Sequence, residues 1–158
     1  MVIKLFYALL LTIMPVTELR VGLPLAILYA RENGIPIYLI FFLVVLLNVL
    51  VIFFIFYFLD NIHHVFMKRG FYRKSFGNYL KRKREKIDKF ERRYSEFGFI
   101  ALVLFVAIPL PGTGAWTGTF VSWILGLDRK KSVLAIALGV LIAGILVMLG
   151  TLGVIGLF

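Results

Sequence analysis

Glu18 and Arg20 are the two charged side chains that lie deep within an apolar segment of this chain, and they stand two positions apart. Carrying an ionisable group to such a depth in a membrane costs at least about 2 kcal/mol, which makes the residue a functional-site hypothesis by default. A regular helix would aim residues two apart in different directions. In an unwound stretch between Pro15 and Gly22, both can face one cavity. Three roles are open to them. They can pair with each other; Arg20 can hold an anionic headgroup, since its planar donor fork suits phosphate; and Glu18 can couple to protons, because burial opposes the charge of a carboxylate while a nearby arginine supports it.

A second stretch, 109–115, carries no charge and works through backbone and hydroxyl groups. Pro111, Gly112 and Gly114 prevent a continuous helix, and Thr113 is placed to cap the half-helix that follows. Free amides at such a helix start attract anions and polar groups. Trp116, Thr117, Thr119, Ser122 and Trp123 add hydrogen-bonding side chains to an otherwise apolar stretch. The candidate contacts for an anion or substrate are therefore Arg20, Thr17, Gly112, Thr113 and Gly114, with Glu18 as the proton-coupling group. Pro15, Gly22, Pro24, Pro109 and Pro111 are the expected loop-shaping residues. Asn48, the one amide in a long apolar run, reads as a bridge between helices.

Enzyme chemistry is not expected. No serine–histidine–acid set, phosphate-cradling loop or carboxylate cluster is present, and one glutamate with one arginine is too little for a hydrolase or transferase. The chain has no cysteine, which removes disulfides, thiolate metal sites and thiol nucleophiles. His63 and His64 are adjacent rather than one helical turn apart, so neither a metal site nor a cofactor is expected.

The elements that must position these residues are apolar. Hydrophobic residues make up 61% of the 158, more than a soluble domain of this length can hide. Segments 5–30 and 98–127 are both broken near the middle, and each is followed by an unbroken apolar run, 35–59 and 132–157. Those runs exceed the roughly 20 residues that cross about 30 Å of hydrocarbon. Paired interruptions at corresponding places in two halves point to a transporter-type site near the bilayer midplane. The start of the chain mimics a signal peptide, with Lys4 before an apolar stretch. No small-residue cleavage site follows, so it is expected to be retained.

Charge distribution sets the topology. Stretch 60–97 holds twelve Lys/Arg against five Asp/Glu, which is +7 of the net +10. Between membrane segments such a block is a topology signal or a contact with anionic lipid, and nucleic acid is not an expected partner. If both broken segments crossed fully, this block and the basic loop at Arg129, Lys130 and Lys131 would fall on opposite sides. If both are re-entrant, fifteen of the eighteen Lys/Arg share the cytoplasmic side. Residues 5–14 make about 15 Å of helix, half the hydrocarbon thickness. One crossing per half then inverts the second unit relative to the first, and both termini fall outside the cytoplasm. The expected fold is an all-α integral membrane protein of one membrane domain, an inverted repeat of re-entrant helical hairpin plus transmembrane helix. A basic cytoplasmic linker joins the halves.

Within that linker, 81–97 reads as an amphipathic helix. Ile87, Phe90, Tyr94 and Phe97 form one apolar stripe, Glu85 with Lys89 and Asp88 with Arg92 form favourable pairs, and Gly98 is a stop. Its basic face, from Lys81 to Arg93, is suited to anionic headgroups. In the last run, Ala135, Gly139 and Ala143 repeat every four residues. That stripe suits either packing within the chain or a homodimer.

Pro15-x-x-Glu18-x-Arg20-x-Gly22-x-Pro24, a long span, a basic linker, and then Ala107-Ile-Pro109-Leu-Pro111-Gly112-Thr113-Gly114-Ala115 resemble the small multidrug export protein family. The resemblance covers nearly the whole chain. More remotely, the pattern is similar to the DedA/VTT superfamily, whose members carry two opposed re-entrant loops and are linked to lipid-carrier flipping and lipid scrambling. Arg20-x-x-x-Pro24 resembles a motif of the second DedA loop, and Pro109-x-Pro111-Gly112 one of the first, so the halves look exchanged. The resemblance implies a small transporter or lipid flippase in the cell membrane of a prokaryote, moving an anionic lipid carrier or an amphipathic solute with proton coupling. A multidrug/proton antiporter is one alternative. A non-transporting scaffold that binds anionic lipid through the basic helix is another.

Overall fold

The computed structural model describes residues 2–67, 97–110 and 112–157. These form six helices: α1 Val2–Ile13, α2 Glu18–Glu32, α3 Ile37–Met67, α4 Phe97–Ala107, α5 Ala115–Ile124 and α6 Arg129–Leu157. No strand occurs among the described residues. The expected 81–97 helix and the contacts from Lys81 to Arg93 fall outside them, apart from Phe97, which begins α4.

Each half has the same order: short helix, break, short helix, glycine turn, long helix. Pro15 ends α1, because it restricts the residue before it and cannot continue the helical hydrogen bonding. The tight turns into the long helices share one device. At the end of α2, Gly34 takes φ +67° while the Ile35 amide reaches the Ala30 carbonyl. At the end of α5, Gly126 takes φ +64° while the Leu127 amide reaches the Ser122 carbonyl. A left-handed residue lets the chain reverse and satisfies the last carbonyls, and glycine adopts it without penalty. Asp128 then caps α6, accepting from the Lys131 amide at 2.9 Å.

The long helices run antiparallel. Ile40 and Val44 of α3 cluster with Ala143 of α6, and Ile52 and Phe56 cluster with Ala135, Ile136 and Val140. The α1–α2 unit packs at the first level through Ala8, Leu19, Leu23 and Ile27. The α4–α5 unit packs at the second through Leu102, Val106 and Ala115. The two units thus sit at opposite ends of one helix pair, with their breaks directed at each other. Asn48, midway along α3 and buried, bridges helices by donating to the Thr12 carbonyl of α1 at 3.4 Å and to Val44 at 3.2 Å.

Ile37–Ile62 and Arg129–Gly156 are long and apolar enough to cross a membrane, and only 39% and 33% of an apolar 18-residue portion of each is buried inside the chain. A core helix of a soluble protein would be mostly covered. Here Phe42, Phe54, Leu134 and Leu149 point outward instead.

Two expectations change in detail. Helix α3 continues to Met67, into the stretch assigned to the linker, because no glycine or proline interrupts 37–67. The stripe of Ala135, Gly139 and Ala143 is covered by the chain itself. Both alanines are fully buried, and a Cβ on Gly139 would meet the Val103 carbonyl of α4 at 2.9 Å. The close approach that small residues permit is used within the chain.

At the opposite end from Glu32, Asp60 ties three helices. It accepts from Trp123 Nε1 at 3.1 Å and Arg129 Nη1 at 2.7 Å, and Arg129 lies 5.0 Å over the Phe56 ring. The ion pair is half exposed and contributes little, whereas the indole bond is partly buried. Asp60→Ala should cost about 1–2 kcal/mol, read as a lowered unfolding midpoint in detergent. Asp60→Asn, which keeps an acceptor for Trp123, should recover most of that loss.

Candidate functional site

The first break is shorter than the Pro15-to-Pro24 motif suggests. The turn spans 14–17, and Gly22 and Pro24 lie inside α2 rather than shaping a loop. Gly22 serves packing: a Cβ there would overlap Thr12 and lie 2.8 Å from the Ala8 carbonyl oxygen, so glycine lets α1 and α2 touch. Pro24 has no amide to give the Arg20 carbonyl, which loosens the helix just after the site. Gly22→Val should separate α1 from α2 and cost about 1–3 kcal/mol, checked by the thermal midpoint in detergent.

Glu18 is the first residue of α2 and has φ +47°, a left-handed conformation that costs a non-glycine residue about 1–2 kcal/mol. This departure from helical geometry lets side chains two apart meet. Arg20 Nη1 donates to Glu18 Oε2 at 3.0 Å, with Glu18 2% and Arg20 10% exposed. The mutual ion pair is therefore the arrangement formed, among the three roles open in the sequence.

The second break closes over this pair. Glu18 Oε1 accepts from the Trp116 backbone amide at 3.1 Å. Trp116 is the second residue of α5, whose N-cap, Gly114, has no side chain to offer. A carboxylate from another helix thus supplies both the acceptor and the negative charge that a helix start favours. Gly114 is required by contact, since a Cβ there would overlap Glu18 Oε2. Arg20 Nη2 donates to Thr113 Oγ1 at 2.9 Å and to the Ile108 carbonyl at 3.3 Å. The indole Nε1 of Trp116 donates to the Ile13 carbonyl at 2.9 Å, satisfying the frayed end of α1.

Of the residues singled out from sequence, Glu18, Arg20, Thr113 and Gly114 come together. Thr17 does not: its hydroxyl donates back to the Leu11 carbonyl. Thr113 does not cap α5; its hydroxyl lies 2.8 Å from the Ile108 carbonyl and 2.9 Å from that of Leu110, bracing the break. Gly112, at φ +82° with open space where a Cβ would be, shapes the turn. Pro109 lies in the same break, and Pro111 falls outside the described residues. The contacts missed from sequence are backbone groups, the Trp116 amide and the Ile108 carbonyl. The position of Gly114 ahead of an apolar helix was the available signal for the first.

Chemically, the arrangement is a neutralised charge pair enclosed by protein. One guanidinium atom, Arg20 Nε, is buried without a hydrogen-bond partner. The carboxylate has an acceptor role on each oxygen, so protonation or displacement of Glu18 would disturb both α2 and the start of α5.

Helices alone among the described residues, and two of them suited to crossing a bilayer with outward apolar faces, define an all-helical membrane protein. The chain belongs to the family described as "Putative small multi-drug export protein", whose model matches residues 18–146. The match opens at Glu18, directly after the first break, and takes in the second. Searches of curated proteins and of solved structures give no match.

Proposed function

We propose that this export-family protein is a small proton-coupled transporter whose two short-helix units are re-entrant hairpins, entering the membrane from opposite faces and meeting at Glu18 and Arg20. The observation that carries this reading is the joint site: a buried charge pair from one break, sealed by the amide, hydroxyl and carbonyl of the other. Depth supports it. Tyr38 and Tyr57 of α3 are both outward-facing and are separated by roughly 28 Å of helix at about 1.5 Å per residue, the spacing of the two interfaces. Asn48 lies halfway between them and bonds the last turn of α1, which supports a mid-depth position for the first break. Backbone that leaves helical geometry there must be buried in protein or line a water-filled cavity. Glu18 and Gly114 are buried, and on this reading the exposed residues 13–16, 108–110 and Gly112 line the cavity. The inverted repeat follows from one crossing per half.

In this mechanism an anionic group reaches Arg20 and competes with Glu18, and the buried Nε offers it a donor not already engaged. The released carboxylate takes a proton. Loss of the carboxylate at the Trp116 amide then loosens α5, coupling substrate to the sealing of the second hairpin. A lipid phosphate carrier is the first substrate and an amphipathic solute the second. The basic stretch from Lys81 to Arg93 fits anionic headgroups on the cytoplasmic side of a prokaryotic cell membrane.

The test is movement of labelled polyisoprenyl phosphate in proteoliposomes, with and without a pH gradient. Arg20→Ala should lower movement at least about tenfold, the equivalent of about 1.4 kcal/mol. Glu18→Gln should remove the response to the gradient. Movement at the parental rate in both variants would overturn the midplane site. For topology, the absence of cysteine allows Arg31→Cys and Lys130→Cys to be labelled with an impermeant thiol reagent. They should react from opposite faces; reaction from one face would rule out opposed hairpins.

A further inference from the structure

Helices α1 and α2 touch at Ala8 and Gly22, and an open crevice of about 320 Å³ lies along their seam toward Lys4 and Glu32. Ala8 and Tyr29 are its buried lining, and the exposed Tyr7, Leu25 and Leu28 form its walls. Lys4 and Glu32 span the mouth at 3.4 Å, with side chains 74% and 61% exposed. The cleft lies apart from Glu18 and Arg20, and none of its residues serves the proposed transport step.

The charges at the mouth select its occupant. An exposed lysine–glutamate pair is worth about 1 kcal/mol at most, so it opens readily to a ligand that satisfies both members. An anionic headgroup would meet Lys4 but be repelled by Glu32, and a lone cation would meet the reverse. A zwitterion answers both charges: its phosphate lies against Lys4 and its ammonium against Glu32, with the exposed Tyr7 ring beside it as a cation-attracting face. The apolar walls of Leu25 and Leu28 take the first part of an acyl chain. A primary ammonium donates hydrogen bonds to a carboxylate, whereas a trimethylated one cannot. Both mouth residues lie at the same end of the fold as Tyr38, where headgroups sit if α1 and α2 enter the membrane as proposed.

We infer that the α1–α2 crevice is a binding site for a phosphatidylethanolamine-type lipid, held through its two headgroup charges by Lys4 and Glu32. The site rests on the hairpin reading for its depth, not on transport. A lipid wedged between the arms of the first hairpin would set their spread, and with it the position of α2, which begins at Glu18.

Native mass spectrometry of the full chain in detergent, after exchange into equimolar phosphatidylethanolamine, phosphatidylcholine and phosphatidylglycerol, tests this. The ethanolamine lipid should be retained over the other two. Lys4→Ala and Glu32→Gln should each reduce its retention by roughly fivefold, the scale of one exposed ion-pair partner. The exchange Lys4→Glu with Glu32→Lys should restore it. Leu28→Trp, which crowds the crevice from one wall, should displace the lipid without changing charge. Equal retention of the three lipids, preference for phosphatidylglycerol, or indifference to these variants would overturn the site. Because retention is read without transport, failure of the vesicle assay leaves it standing, and failure of retention leaves the Glu18–Arg20 reading standing.

Discussion

Gly114→Ala is expected to lower stability by about 3 kcal/mol or more, beyond the usual 1–3 kcal/mol of an overpacked site. The added methyl would occupy the place of Glu18 Oε2. Neither neighbour can yield cheaply. Glu18 is fixed by Arg20 on one oxygen and by the Trp116 amide on the other, and its backbone already sits at a left-handed φ. Moving the carboxylate leaves a buried guanidinium without its counter-charge; moving Gly114 shifts the start of α5. In a chain of this size, 3 kcal/mol corresponds to a fall of roughly 6–12 °C in the thermal midpoint. The mechanism has its own control. In a Glu18→Ala background the clash is absent, so Gly114→Ala should cost less than about 1 kcal/mol, and the difference is the coupling energy of the pair. Equal cost in both backgrounds would mean that the glycine serves backbone conformation alone.

Much of this site was legible in the chain because charge is rare within its apolar segments. Glu18 and Arg20 stood out by type, and the glycines and prolines of 109–114 marked the second break. What escaped was everything that depends on a neighbour. Gly22 and Pro24 read as loop formers, yet helix α1 lies close enough to use the missing Cβ of Gly22 as a contact, and the helix continues through Pro24. Thr113 had the right side chain and position for a cap, but a carboxylate from α2 reached the amide of Trp116 and left the hydroxyl to carbonyls of its own break. Local sequence proposes which groups need partners; it does not say which helix brings them. The same limit applies to Ala135, Gly139 and Ala143. Their spacing promised close packing, and only the fold identified α4 as the neighbour at Gly139.

Arg20→Ala should destabilise the chain by about 3–5 kcal/mol, because it leaves Glu18 buried and uncompensated. That loss alone would not separate a transport site from a structural ion pair. Removing both charges does. Glu18→Gln with Arg20→Met keeps an oxygen for the Trp116 amide and fills much of the space of the arginine stem. Buried ion pairs replaced by uncharged groups of similar volume are often neutral, so the double variant should recover at least about 2 kcal/mol relative to Arg20→Ala. The hydroxyl of Thr113 still donates within its own break, which leaves the Ile108 carbonyl partnered. A transporter that uses the pair should then be stable and inert: a normal unfolding midpoint, proper insertion, and no movement of a phosphate-bearing substrate under a pH gradient. A structural staple predicts the reverse, with transport returning alongside stability. The pair is expensive to build, given its desolvation and the strained φ of Glu18, and an uncharged replacement would hold the two breaks together at lower cost. Retaining charge at that depth is reasonable where the chemistry uses it, and the double variant measures whether this one does.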